Sequence, residues 1–200
     1  MAKLVLDTAP TGTGRIVTPD DVRAHARIDL TDEDVVLERL IDTAQAAAEE
    51  YTWRRLLKQV WDQYEDGFVD PIPLRYPPLH SDGISAITYT DANGDSQTLS
   101  TDTYETGEVD GVPVVRRKYN QTWPTTRDHE DVVKITYTCG YDTAADVPEK
   151  IKQAVRIHVA WHYEHREGQN AVGTAITMPP TFYHLLREYR LARHQPIGAA

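Results

Sequence analysis

The stretch Asp70-Pro71-Ile72-Pro73-Leu74-Arg75-Tyr76-Pro77-Pro78-Leu79 constrains the fold more than any other part of the chain. Proline fixes φ, lacks an amide donor and pushes the preceding residue out of the helical region. The segment is therefore extended and cannot be helical. Gln59-Val60-Trp61-Asp62-Gln63-Tyr64 leads into it with the pattern of a strand. Beyond it, residues 84–90 read as a strand, Asp91-Ala92-Asn93-Gly94-Asp95 as a turn, and residues 97–100 as the strand that pairs back. Shorter strands are expected around Tyr104 and over residues 112–116. Residues 132–138 form the strongest strand pattern, and Gly140 ends it. Residues 58–141 thus form a β-rich unit.

Both flanks carry helical signals instead. Thr18-Pro19-Asp20-Asp21 is a helix start: a good N-cap, a proline at the first position and acids in the first turn. That helix is predicted to run to about Ile28. Thr31-Asp32-Glu33-Asp34 opens a second one, in which Val36, Leu37, Leu40, Ile41, Ala44, Ala47, Ala48 and Tyr51 recur at helical spacing to about Leu56. After the β-rich unit, residues 148–167 are helical and Gly168 stops them. Residues 169–178 read as a loop, and Pro179-Pro180 opens a last helix, from Thr181 to about Ala192. The fold class is α+β. Residues 18–57 and 146–192 are expected to form a helical bundle with the 58–141 unit inserted between them. Residues 1–17 are expected to be a flexible tail and residues 193–200 a frayed one.

Composition excludes several classes. At 200 residues the chain suits one domain, or one domain with a sizeable insertion. A net charge of −10 argues against wrapping nucleic acid, because phosphate binding is driven by Lys and Arg. It is compatible with DNA passing an acidic wall. The single cysteine, Cys139, excludes an internal disulfide and a cysteine-based zinc site. No apolar run approaches the roughly 18–20 residues that span a membrane. The opening MAKLVLDTAP is too short and too polar after Leu6 for a signal peptide. The expectation is a soluble protein made in a reducing cytoplasm.

The run Ala160-Trp161-His162-Tyr163-Glu164-His165-Arg166-Glu167, with His158 upstream, raises the question of a metal. At about 100° per residue, Ile151, Val155, His158, His162 and His165 fall on one side, flanked by Ala154 and Trp161. Gln153, Arg156, Glu164 and Glu167 take the other side. Two histidines at i and i+4 can share a metal, but the zinc-protease motif needs Glu directly after the first His. Here that residue is Val159, and His162 to His165 has the wrong spacing. His158, His162 and His165 therefore read as core or subunit-contact residues. A metal-dependent hydrolase, with His129 as a third ligand in principle, is the competing reading.

Other candidates read as structure. Residues 91–95 lack the later Glu of a calcium loop. Gly12 and Gly14 sit in no strand–turn–helix unit. Asp128-His129-Glu130-Asp131 is a polar loop without a nucleophile, Cys139 is a small packing residue, and Asp29, Asp32, Glu33 and Asp34 complement a helix N-terminus. No catalytic set stands out and no cofactor is implied, so a non-enzymatic binding or assembly role is favoured.

The order of the segments resembles the head–tail connector (adaptor) proteins of long-tailed bacteriophages and gene transfer agents. The phrases that carry it are Val17-Thr18-Pro19-Asp20-Asp21-Val22-Arg23-Ala24-His25-Ala26-Arg27-Ile28 with Asp32-Glu33-Asp34, then Leu40-Ile41 and residues 46–52. Pro73-Leu74, Pro77-Pro78-Leu79, Ile87-Thr88-Tyr89 and residues 91–94 follow. Trp123-Pro124, residues 133–137 with Gly140-Tyr141, Val147-Pro148, Ile151-Lys152-Gln153-Ala154 and residues 161–167 complete it. The resemblance covers about residues 16–192. It implies a structural virion protein rather than an enzyme, located in the neck of the particle and synthesised in a bacterial host's cytoplasm. It implies a homo-oligomeric ring, usually twelve-fold, beneath the portal protein, extending the DNA channel and seating a stopper or tail protein. A tail-terminator or stopper is the alternative. The histidine-rich helix and the polar N-terminal tail depart from the family's pattern.

The last helix offers Phe182, Tyr183, Leu185, Leu186, Tyr189 and Leu191 with Arg187, Arg190 and Arg193. Aromatics interleaved with arginines suit a partner surface. Phe182, Tyr183, Leu186, Arg187, Tyr189, Arg190 and Arg193 are the expected contact residues for the portal or another partner. An ordinary amphipathic helix closing the bundle is the other reading.

Overall fold

A computed structural model describes residues 3–9, 14–29, 32–165 and 178–191. Among them are four α-helices and two antiparallel sheets, a mixed α+β architecture. The chain divides into two compact units. One contains residues 57–142 with the first strand; the other contains residues 13–56 and 143–190.

The β unit is built around β8 (Val133–Cys139). Its sequence VKITYTC alternates, burying Val133, Ile135, Tyr137 and Cys139, as a strand with one core face requires. β2 (Gln59–Glu65) pairs antiparallel along one side, from Gln59 opposite Cys139 to Glu65 opposite Val133. β4 (Leu79–Thr90) pairs along the other. β4 begins at Leu79, earlier than residue 84, because two register shifts carry the ladder past Gly83. β5 (Ser96–Thr98) lies beyond β4, giving the order β1-β2-β8-β4-β5.

β1 is Lys3–Thr8, part of the segment expected as a tail. It pairs antiparallel with the outer edge of β2, Leu4 opposite Gln63 and Leu6 opposite Trp61. An edge strand offers unpaired backbone groups, and Leu4, Val5 and Leu6 are good strand formers. Residues 1, 2 and 10–13 lie outside the described residues.

The second sheet has the order β3-β7-β6, with β3 at Ile72–Pro73, β6 at Tyr104–Val109 and β7 at Val112–Arg117. Asp110 and Gly111 both have positive φ, the signature of a two-residue hairpin turn. Both sheets face one core that includes Ile72, Leu74, Ile87, Tyr104, Val115 and Ile135. The proline segment is held by fully buried Gln63. Its side-chain amide donates to the Pro73 carbonyl at 2.9 Å and accepts the Arg75 N–H at 3.1 Å. After β8 the chain turns at Gly140, φ 96°, where any Cβ would drive into the Leu57 carbonyl.

In the helical unit, α1 (Pro19–Ala26) begins with the expected cap. Thr18 Oγ1 accepts the Asp21 N–H at 3.2 Å, and the Asp21 carboxylate accepts the Thr18 N–H at 2.9 Å. α2 (Asp34–Thr52) buries Leu37, Ile41, Ala44, Ala48 and Thr52. It stops four residues short of Leu56, at a left-handed Trp53. Thr52 donates its hydroxyl to the Ala48 carbonyl at 2.7 Å. The Glu49 carboxylate takes the Leu56 N–H at 2.9 Å, tying the turn. Thr31, the expected start, lies outside the described residues.

α3 (Glu149–Glu164) buries Ile151, Ala154, Val155, His158 and Val159, and α1, α2 and α4 (Pro180–Leu186) pack on it. α3 is capped by His165; Arg166, Glu167 and Gly168 lie outside the described residues, as does 169–177. The last helix ends well before Ala192. It tightens into a single 3-10 turn over Arg187–Tyr189 and then extends at Arg190. Arg54 Nε donates to the Tyr189 carbonyl at 2.7 Å, taking the acceptor that a further helical turn would use. Residues 192–200, including the expected tail, are outside the described residues.

Candidate functional site

The histidine face of α3 meets α4. His158 is 6% exposed, its ring 4.5 Å from that of His162 and 5.0 Å from that of Phe182. Its Nδ1 is buried without a hydrogen-bond partner. Burial, with a smaller contribution from His162, pushes the imidazole down to about 4. A histidine there is neutral at pH 7 and packs as an aromatic ring. Burial also lowers His162.

His165 has a different task. Its Nδ1–H donates to the Trp161 carbonyl at 2.9 Å while its ring stacks on Trp161 at 5.2 Å, so it closes the end of α3. Only His158 and His162 come together. Among the described residues no three His, Cys, Asp or Glu side chains form a group that could hold a metal. His129, in the β unit, has its Nδ1 on the Glu130 carbonyl at 2.9 Å.

The other sequence candidates have local duties. The Asp91 carboxylate accepts amide hydrogens from Asn93, Asp95 and Gln97 at 2.9–3.0 Å, which holds its pKa below the usual range and fills the turn. Asp131 pairs with Lys3 at 3.1 Å. Cys139 is buried in the β core. In the acidic cluster, Asp34 pairs with Arg23 and Glu33 accepts the Tyr163 hydroxyl, while Asp29 and Asp32 are exposed.

The predicted contact set divides. Phe182 and Leu186 are buried, at 2% and 0% exposure, and fasten α4 to the unit. Tyr183, Arg187 and Arg190 face outward and Tyr189 is half-buried. Arg193 lies outside the described residues. The outward residues join a surface that sequence reasoning missed. The Tyr183 ring is 5.2 Å from that of Tyr51, and the Arg190 guanidinium lies 4.9 Å over the Tyr51 ring. Trp53, just after Tyr51, is 47% exposed. The signal was present in Tyr51-Thr52-Trp53-Arg54-Arg55, where aromatics and arginines crowd the end of a helix pattern. This arrangement has no nucleophile–base pair and no metal set among the described residues. It has the residue types of a protein-binding surface.

Comparison with known proteins gives a partial family match and a shared fold. Residues 17–106 match the family model described as phage gp6-like head-tail connector protein. No match is found among curated proteins. A chain from the neck of an empty gene transfer agent particle, computed with C6 symmetry, is similar with a TM-score of 0.76 at 23% identity, over 97% of this chain and 98% of that one. A chain from the virion of a native gene transfer agent particle gives 0.76 at 23%, over 96% and 97%. A third, from the neck of a native particle computed with C12 symmetry, gives 0.74 at 22%, over 97% and 98%. At such identities the likeness is one of fold.

Proposed function

We propose that this chain, whose residues 17–106 carry the pattern of the phage gp6-like head-tail connector family, is a structural connector of the virion neck. It joins a capsid to its tail and extends the DNA channel. The observation that carries this reading is the coincidence of that family match with a fold shared, nearly end to end, with chains from gene transfer agent necks and virions. The role is mechanical, not catalytic: the outward helical side chains around Tyr51 are aromatic rings and guanidinium groups.

The helices from both ends of the chain form the connector core, a bundle centred on α3, with residues 58–141 as its insertion. Copies assemble into a ring beneath the portal, twelve-fold as in the symmetry applied to one of the similar necks. DNA passes through without base-specific contact, in keeping with the charge of −10. The outward side chains of α4 and its 3-10 turn, Tyr183, Arg187 and Arg190, contact a partner. Phe182 and Leu186 support that contact from the core, so the surface is tested by side-chain substitution rather than by removing the helix.

The test is co-expression with the portal protein of the same particle. Co-purification as a twelve-fold ring on the portal supports the connector. A six-fold ring that binds tail protein and ignores the portal would assign the chain to a stopper or tail-terminator instead.

A further inference from the structure

Two exposed patches of opposite character lie at the two ends of α2. At the C-terminal end stand Tyr51, Tyr183 and Arg190, in ring and cation–π contact, with Trp53 and Tyr183 47% and 45% exposed. α4 adds exposed His184, and the turn after it exposed Arg187. Its one acid, Glu188, is taken by Lys150 at 2.8 Å. Beside it, sharing Arg187, is a groove of about 420 Å³ lined by Lys150, His184, Leu185, Arg187 and Glu188, with Leu185 as its apolar wall. In a chain of net charge −10 this is a local excess of cations.

At the N-terminal end, Val35 and Val36 are 61% and 40% exposed. Asp29 and Asp32, shortly before them in the chain, are exposed and make no ion pair among the described residues. Asp20 and Asp34 share a single cation, Arg23, so this end keeps a net negative charge. From Val35 to Tyr51 the helix rises about 24 Å, so the patches cannot meet within one chain.

We propose that the two patches are the two halves of one contact between copies of this chain. The Tyr183–Arg190 end of one subunit seats on the Asp32–Val36 end of the next. Charge argues for it: guanidinium groups with no carboxylate partner among the described residues meet carboxylates with no cation, and the valines supply the apolar knob for the Leu185 groove. Unlike faces in head-to-tail contact repeat around a closed ring. The inference rests on the ring reading above and names the occupant of its partner surface as the neighbouring subunit.

The experiment uses the full chain with its portal, and counts rings by electron microscopy. One variant is Arg187→Glu with Arg190→Glu, another Asp29→Arg with Asp32→Arg, and a third carries all four changes. Each pair alone is expected to lower the assembled fraction by roughly ten-fold or more, and the four-fold variant to recover most of it. Circular dichroism and unfolding curves establish that each variant is folded. The proposal is overturned if either folded pair variant assembles like the parent, or if the combined variant stays unassembled. Loss of portal binding with intact rings would overturn it too, and would give the cationic patch to the portal. A parent chain that forms no ring at all would instead sink the ring reading.

Discussion

Among the described residues each unit buries one histidine, His80 or His158, and treats it in an opposite way. In the β unit, His80 is 8% exposed and both ring nitrogens are engaged. Nδ1 accepts the Asp82 N–H at 3.0 Å, so Nε2 carries the hydrogen and donates to Asp142 at 2.7 Å. In the helical unit, His158 is as buried, but it faces His162 and Phe182 and its Nδ1 has no partner. The first is a polar fastener and the second an aromatic filler with a proton affinity held down. Burial of a histidine therefore says little by itself; what surrounds each nitrogen decides its role.

The largest way to break the comparison is to empty the helical side. Phe182→Ala removes the ring that covers His158 and should cost about 3–5 kcal/mol in chemical denaturation of the helical unit. Unchanged stability would mean that α4 is not part of that core.

Acid comes next. The folded imidazole of His158 titrates near 4, below its ordinary 6.5, so the unfolded chain takes the proton first. Stability is then present above pH 6.5 and is lost as pH falls toward 4, by about 3 kcal/mol in all. Unfolding curves of the parent and His158→Phe, compared between pH 7.5 and 4.5, should diverge on acidification, with only the parent losing this share. Parallel pH profiles would contradict the filler role.

The β unit answers to backbone geometry. Gly140→Ala places a Cβ against the Leu57 carbonyl at φ 96°. About 2–3 kcal/mol should be lost, with the β unit destabilised. The smallest effect is at the cap: Thr18→Ala should cost about 1 kcal/mol, read as a shift in the denaturation midpoint.

What could be read in the sequence was local. The proline segment, the Thr18 cap, the Asp91 turn and the alternating 133–139 strand each rest on neighbours within a few residues. The apolar stripe of α3 already placed His158 beside Ile151 and Val155. What escaped depends on distant partners. β1 exists because β2 presents an open edge about sixty residues later in the chain. α2 ends at Trp53 because a non-glycine residue adopts a left-handed turn there, with the Glu49 carboxylate reaching Leu56. Within α4 the aromatic and cationic pattern was visible. Which members face the core followed only from packing: Phe182 and Leu186 turn in, while Tyr183 and Arg190 gather around Tyr51 from another helix.

The central claim is that this chain is a piece of the neck. Electron cryomicroscopy of the assembled particle tests it most directly. Density for the chain's two-sheet and helical units is expected in a twelve-fold ring immediately beneath the portal. Particles whose neck is fully occupied by other proteins, with this chain absent or elsewhere in the virion, would contradict it.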